Sequence, residues 1–345
     1  MSVENIKEVL VIGGGVAGTE TSVKLSGMGY KVTIVEPSDK LGGKLNQWDR
    51  LFPNQRPAKE LLQTLKDSLN SNIRPILNTS ITNIEKDGQE FTATLSDGKI
   101  IKSDAVVIST GFEVFDAKKK EEYGYGIYDN VITSADLEKL FREGNKITTA
   151  AGKKPKRVGI IHCVGSRDEK AGNTYCSQVC CITAVKQAIE IKEQLPEAEV
   201  FSFYMDLRMF GRRFEDIYKK AQVEHGIQFI RGRLSESFEN PDGSILLKAE
   251  DTLLNKPLKI SVDLVVLMVG MEPSKTLAKL TQGLKIETAT DGFFEQPDAH
   301  YAAVKTSVPG VFVAGACTGP KTMEATLNEA RAAAFEVAHY IEELK

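Results

Sequence analysis

The chain has little of what several function classes require. Its 345 residues include one tryptophan, four histidines and five cysteines, and 44 Lys and Arg against 47 Asp and Glu leave a net charge of −3. Without a basic field there is no surface to neutralise a phosphodiester backbone, which argues against a nucleic-acid partner. Long apolar runs are also missing: residues 9–12 and 264–269 are apolar over the length of a strand, whereas a membrane span takes about 20 such residues. Residues 1–7 lack a basic stretch followed by an apolar one, so no secretory leader is read there and a soluble, cytoplasmic protein is expected. No short-period repeat or low-complexity tract occurs. Four of the five cysteines crowd between residues 163 and 181, with Cys317 alone near the other end. In a chain without a leader, that clustering points to a metal or redox site and not to a disulfide framework.

What is present supports two α/β domains. Hydrophobic residues make up 41% of the chain, enough for sizeable cores at this length. Residues 8–36 read as one βαβ unit: an apolar strand 8–12, a glycine turn 13–15, an amphipathic helix to about Ser26 and a strand 31–36. A Leu- and Lys-rich helix near 58–70 follows, then a hairpin of 81–84 with 91–95, and a strand 105–109. The polar, irregular stretch 126–155 reads as a linker. A second alternating unit opens with strand 157–162, a helix from about Ser177 to Glu193 and strand 199–205, and continues through strands 227–230, 244–249 and 264–270. The last section holds a strand at 310–314 and a closing helix 324–342. The expected architecture is therefore two Rossmann-like domains, one split as 1–125 and 273–345, and the other, 156–272, inserted within it.

Gly13, Gly15 and Gly18 form a G-x-G-x-x-G pattern between a strand and a helix. There the glycines permit a tight turn and let backbone N–H groups approach a pyrophosphate at the positive helix end. Glu36, at the end of the second strand, suits a carboxylate that accepts from ribose hydroxyls and repels a 2′-phosphate. These features predict a dinucleotide site without deciding between FAD and NAD.

The cysteine pattern is Cys163-x12-Cys176-x3-Cys180-Cys181. If helical, Cys176 and Cys180 share a face about 5–6 Å apart, Cys181 lies about a quarter-turn round, and Cys163 arrives from a strand end. Adjacent cysteines diverge too much to serve a tetrahedral zinc well, whereas a cubane offers four separated corners. An iron–sulfur cluster, zinc, a vicinal Cys180–Cys181 disulfide and plain buried cysteines all remain open on spacing. His162 beside Cys163 is read as a satisfied strand-end histidine before a supporting donor or alternative ligand, Arg208, Arg212 and Arg213 near Phe210 as a solvated or packing group before a site for a phosphate or an acidic partner, and Cys317 as a small core residue before a redox thiol.

Further segments carry a resemblance. Leu41-Gly42-Gly43-Lys44, Ser109-Thr110-Gly111 and the stretch TSVPGVFVAGACTGP at 306–320 are similar to the thioredoxin-reductase-like flavoproteins, which implies FAD. The contact set this implies is Gly13, Gly15, Val16, Ala17, Gly18, Glu36, Pro37, Gly42, Gly43, Lys44, Ser80, Ile81, Thr110, Gly111, Gly315, Ala316, Lys321 and Thr322. Ala316 departs from that family, which commonly carries Asp there, so another group must take over its contact. The C-x-x-C dithiol and second glycine fingerprint of thioredoxin reductases are both absent. In their place, His162-Cys163-Val164-Gly165-Ser166-Arg167-Asp168 and Tyr175-Cys176-Ser177-Gln178-Val179-Cys180-Cys181, continued by 203–211 and 229–232, resemble the flavin-carrying A-subunit of heterodisulfide reductases. That resemblance implies a [4Fe–4S] cluster on Cys163, Cys176, Cys180 and Cys181 close to the flavin, and companion subunits carrying thiol or heterodisulfide chemistry. It also implies a homodimer and, because the chain is similar to the short bacterial form and has no C-x2-C-x2-C run, a role in sulfur-compound oxidation. A self-contained NAD(P)H-dependent disulfide or quinone reductase is the alternative.

Overall fold

A computed structural model describes residues 7–344, so the segment 1–6, where a leader was sought, lies outside the described residues. The chain divides into two compact units. Unit 1 takes Met1–Asn46, Lys59–Glu113 and Glu272–Lys345, and unit 2 takes Gln47–Ala58 and Val114–Met271.

Unit 1 is organised by a parallel sheet of five strands: β1 (Glu8–Ile12), β2 (Lys31–Val35), β5 (Ile73–Ile76), β9 (Ala105–Ile108) and β20 (Val311–Val313), in the order β20-β9-β1-β2-β5. Val9, Leu10, Val11 and Ile12 are all buried, because side chains alternate between two faces and both faces are covered. Val9 and Val11 join Val32, Ile34, Val107 and Phe312 on one face, against helices α1 (Val16–Gly27) and α7 (Met323–Glu343). The small residues Ala330, Ala333 and Ala334 line that face of α7, where the Thr21 hydroxyl donates to the Ala330 carbonyl at 3.1 Å. Leu10 and Ile12 join Val35, Val106 and Ile108 on the other face. That face is covered by an antiparallel sheet of β6 (Ile81–Asp87), β7 (Glu90–Leu95) and β8 (Ile100–Ser103), with α6 (Leu277–Leu284) contributing Leu280 and Leu284. Helix α2 (Ala58–Asp67) completes the unit.

Unit 2 repeats the plan. Its parallel sheet joins β11 (Val131–Thr133), β12 (Arg157–Val164), β13 (Glu199–Tyr204), β14 (Gln228–Arg231) and β18 (Leu264–Val269) in the order β11-β18-β12-β13-β14. Val158 and Ile160 face α3 (Ser134–Arg142), α4 (Cys180–Gln194) and α5 (Phe214–Val223). Ile161, Phe201 and Phe203 face the antiparallel sheet of β15 (Leu234–Glu239), β16 (Ile245–Asp251) and β17 (Lys256–Val262). Where the chain passes between units, β10 (Phe112–Val114) and β19 (Met271–Pro273) form a two-stranded ladder.

Two boundaries differ from the sequence reading. Residues 126–155 are not a linker: they carry β11 and α3 and belong to unit 2. Helix α3 starts on a capping box in which the Thr133 hydroxyl accepts from Asp136 N–H at 3.1 Å and Asp136 accepts from Thr133 N–H at 2.9 Å. Residues 47–58, expected in the first domain, belong to unit 2 as a hairpin of β3 (Arg50–Leu51) and β4 (Arg56–Pro57).

That hairpin is held by a buried charge cluster. The Lys186 ammonium pairs with Glu138, lies 3.3 Å from Glu190 and donates to the Arg50 carbonyl at 3.1 Å, while Asp49 N–H donates to Glu138 at 3.1 Å. The Arg50 guanidinium lies 3.9 Å from Glu190 and binds Glu193 at 2.7 Å. Burial, with the neighbouring Glu138, overrides these cations and pushes the Glu190 carboxyl up to about 7. A carboxyl raised on folding contributes stability below its unfolded pKa that is lost as pH rises through the folded one. Glu190→Gln is therefore expected to gain stability relative to the parent between pH 5 and pH 8, by up to about 3 kcal/mol. Denaturant midpoints at the two pH values check this, and parallel slopes for the two proteins would show Glu190 ionised throughout.

Candidate functional site

The first constellation lies in unit 1, where β1 turns into α1. Gly13 holds φ +103°, which only glycine adopts freely, and a Cβ there would stand 2.5 Å from the Ser109 carbonyl oxygen. A Cβ on Gly18 would stand 1.9 Å from the Gly13 carbonyl oxygen, so this glycine lets α1 pack on the turn. Gly15, the N-cap of α1, faces open space and offers no side chain to the helix end. The N–H groups of Val16, Ala17 and Gly18 at that end therefore lie free of a side-chain cap, in a positive field suited to a pyrophosphate.

Other predicted residues gather round this turn. Gly42 N–H donates to the Gly14 carbonyl at 2.7 Å, and a Cβ on Gly43 would lie 3.0 Å from Gly15 Cα, so the 41–44 loop closes on the glycines. Lys44 lies 3.7 Å from Glu113 and over the Phe112 ring. The Ser109 hydroxyl donates to the carbonyls of Ile12 and Gly13, while the neighbouring Thr110 hydroxyl is buried with no hydrogen-bond partner. A Cβ on Gly315 would lie 2.8 Å from Ala17 Cβ, which seats the buried turn at Gly315 and Ala316 against the start of α1. Thr79 N–H donates to the Glu36 carbonyl at 3.1 Å, which brings Ser80 and Ile81 to the end of β2, where Pro37 is exposed. Thr322 caps α7 by accepting from Ala325 N–H at 3.2 Å.

Glu36 has a further job that its strand-end position did not announce. Its carboxylate accepts from Gly14 N–H at 2.6 Å and from the N–H and hydroxyl of Ser38 at 3.0 and 2.7 Å, so it braces the glycine turn. About four acceptor sites on a carboxylate leave one for a ribose hydroxyl. Glu329 was missed. From α7 it accepts from Gly315 N–H at 3.0 Å and pairs with Lys321, which also donates to Thr318. A carboxylate thus returns to the turn where Ala316 removed one, from a helix position that no local motif marks. The residues present fit a bound dinucleotide: an uncapped helix end, open space at Gly15 and an orphaned hydroxyl at Thr110.

The second constellation lies in unit 2, at the equivalent strand-to-helix turn. Cys163 lies one residue before the end of β12 with φ +58°, and Cys180 and Cys181 open α4, which has neither a side-chain cap nor an acidic residue in its first turn. Cys176 is not helical, so the shared helical face considered for Cys176 and Cys180 does not form. Gln178 adopts φ +55°, and the Ser177 hydroxyl is tied to Ser166 and to Met271 N–H, so the helix starts at Cys180. Cys163, Cys180 and Cys181 are buried, Cys176 is half-buried, and all are free thiols. Burial, then the charges of Cys181 and Cys176, push the Cys163 thiol up to about 11, and Cys180 rises through burial and all three other cysteines. Four thiols that feel one another's charge share one neighbourhood. The Arg167 guanidinium donates to Asp206 at 2.8 Å, and its charge favours the thiolates at Cys163 and Cys181; its Nη1 is buried without a hydrogen-bond partner. Among the described residues no three His, Cys, Asp or Glu side chains close around a single metal ion.

The remaining candidates are structural or exposed. His162 is buried and bonds to Ser202 at 2.8 Å, and Cys317 is fully buried with its thiol donating to the carbonyls of Ile108 and Ala314. Arg208, Arg212 and Arg213 are exposed.

Comparison with known proteins follows the same division. Residues 2–136 and 181–334 match the pyridine nucleotide-disulphide oxidoreductase family, and the unmatched interval holds Cys163, Cys176 and Cys180. The chain is 33% identical to the A-subunit of the H(2)/formate:CoB-CoM heterodisulfide,ferredoxin reductase of Methanococcus maripaludis, over 96% of this chain and 64% of that protein. It is 32% identical to the iron-sulfur A-subunit of the CoB–CoM heterodisulfide reductase of Methanocaldococcus jannaschii, over 97% of this chain and 64% of that protein. The chain thus spans a little under two thirds of the length of these relatives. Thioredoxin reductase of Lactococcus lactis shares the fold with a TM-score of 0.69 at 18% identity, over 98% of this chain and 99% of that one. The expected architecture of two Rossmann-like α/β domains is the one observed, and no helix among the described residues is long and apolar enough to cross a membrane. Sheet order, glycine cradle and sequence match agree: the chain is an oxidoreductase that belongs to the pyridine nucleotide-disulphide oxidoreductase family.

Proposed function

We propose that this chain is the electron-transfer subunit of a heterodisulfide-reductase-like complex, with FAD in the cradle of unit 1 and a [4Fe–4S] cluster on Cys163, Cys176, Cys180 and Cys181. The observation that carries the reading is the replacement, at one topological position of two similar units, of a glycine turn by four neighbouring thiols. FAD supplies two-electron exchange when bound, and an iron–sulfur cluster supplies single-electron transfer. The chain's own residues hold and bias these groups. The N–H groups at the start of α1 neutralise a pyrophosphate, Glu36 takes a ribose hydroxyl, and Glu329 fixes Gly315 and Lys321. At the thiols, the start of α4 and the Arg167 guanidinium offset the negative charge that four thiolates would gather.

The names of the similar proteins support a role within a larger assembly, with companion subunits carrying the thiol or heterodisulfide chemistry. Sulfur-compound oxidation in the cytoplasm and a homodimeric assembly complete the proposal, on the resemblance to the short bacterial form. A self-contained NAD(P)H-dependent reductase would need a second nucleotide site, yet the end of β12 carries Cys163 and the start of α4 carries Cys180 and Cys181.

Anaerobically prepared protein is expected to contain FAD together with iron and acid-labile sulfide in equal amounts, and Cys180→Ser to lose iron while keeping FAD. FAD without iron in the parent protein would promote the stand-alone reductase. Glu329→Gln is expected to weaken FAD binding by about tenfold, the effect of one charge-assisted hydrogen bond, as read by flavin fluorescence on titration; unchanged affinity would make the Glu329 contacts incidental. Arg167→Gln is expected to lower the cluster's midpoint potential by tens of millivolts, since loss of a nearby positive charge disfavours the added electron. A redox titration followed by electron paramagnetic resonance reads this, and an unmoved potential would remove Arg167 from that role.

A further inference from the structure

The segment 205–213, between β13 and α5, has an inner side and an outer side of opposite character. On the inner side the Cys181 thiol donates to the Asp206 carbonyl at 3.6 Å. The Asp206 carboxylate binds Arg167 at 2.8 Å and lies 3.6 Å from Arg231. Met209 packs against the helix-side core, and Phe214 is buried just beyond. A Cβ on Gly211 would stand 2.6 Å from the Phe214 ring, so glycine is what lets the segment lie down there, with Phe214 N–H donating to the Gly211 carbonyl at 3.0 Å. The segment is anchored at a thiol, at the core and at the helix it leads into.

The outer side is left to solvent all the same. Phe210 is 76% exposed, and Arg208, Arg212 and Arg213 around it are exposed too. Arg213 lies 3.6 Å from Asp216, whereas Arg208 and Arg212 pair with no carboxylate among the described residues. The net charge of the whole chain is −3, so this concentration of positive charge is local. An anchored segment that holds an aromatic side chain in water inside a ring of arginines has the anatomy of a contact surface, with an apolar centre that excludes water and a charged rim that steers. Phe and Arg are among the residues enriched in such centres.

We propose that segment 205–213 is the docking surface for a soluble electron-carrier protein whose redox centre is rimmed by acidic residues, seated on Phe210 above Cys181. Charge complementarity selects the occupant: a second copy of this chain would set arginine against arginine. A lipid surface is disfavoured because the segment has one exposed aromatic residue and no amphipathic helix. That the carrier docks to exchange electrons rests on the cluster reading above; the docking itself does not.

The test uses the full chain and a plant-type [2Fe–2S] ferredoxin as the acidic probe, with basic cytochrome c as the control of opposite charge. Ferredoxin is expected to bind with an affinity that falls as salt is raised, and cytochrome c is expected not to bind. Reversal of the rim in R208E/R212E/R213E is expected to weaken ferredoxin binding by at least about tenfold and to remove its salt dependence. Phe210→Ala is expected to weaken it about threefold or more with the salt dependence retained. Iron, sulfide and FAD contents of the variants should match the parent. Unchanged affinity in the charge-reversed protein would overturn the proposal, as would binding of phosphatidylserine vesicles in place of ferredoxin through the same residues. Iron-free protein that still binds through the arginines would uphold docking and sink the cluster; iron-replete protein indifferent to the reversal would do the opposite.

Discussion

Both units depend on one constraint: a parallel strand buried on two faces must send alternate side chains into two separate cores. Leu10 and Ile12 go one way and Val9 and Val11 the other, and in unit 2 Val158 and Ile160 oppose Ile161 in the same manner. Because the strands of each sheet run parallel, their C-terminal ends share one edge of the sheet, and from that edge β1 and β12 each lead on to a helix. The functional turns sit at that edge, after β1 and after β12. Their position follows from the strand packing and would be lost with it.

What the two turns do with an uncapped helix start is the chemical content of the fold. In unit 1, glycines clear the space in front of α1, so backbone N–H groups meet the guest directly. In unit 2, thiols stand where the glycines would have stood, and the start of α4 lies behind them. The same positive helix end can thus favour a pyrophosphate in one unit and an assembly of thiolates in the other. In unit 2 the Arg167 guanidinium, oriented by Asp206, adds its positive charge near Cys163.

Features written in consecutive residues were legible in the sequence. The run from Glu8 through the glycines to Glu36 announced strand, turn, helix and strand because each signal lies within a few residues of the next. The features that escaped depend on distant partners. Helix α3 hid within a polar stretch because its capping box, Thr133 to Asp136, is short and its stability comes from packing Leu137 and Phe141 on a core assembled elsewhere. The helix start read at about Ser177 lies at Cys180, because the Ser177 contacts to Ser166 and Met271 and the left-handed Gln178 hold residues 176–178 off the helix. Glu329 reads as an ordinary helix residue until the fold returns it to Gly315. Hairpin 47–58 took its place in unit 2 from Glu138, Lys186 and Glu190, more than 80 residues downstream.

The interleaving of the two units also orders events while the chain is being made. Unit 2 has all of its strands and its four clustered cysteines once residue 271 has been synthesised, and its early hairpin, 47–58, is by then already waiting. Unit 1 cannot finish at that stage: β20 must still pair with β9, Gly315 must seat against Ala17, and α7 must cover α1. The domain that begins first is therefore the last to close. The four clustered cysteines stand in a finished sheet while the glycine turn of unit 1 still lacks a wall.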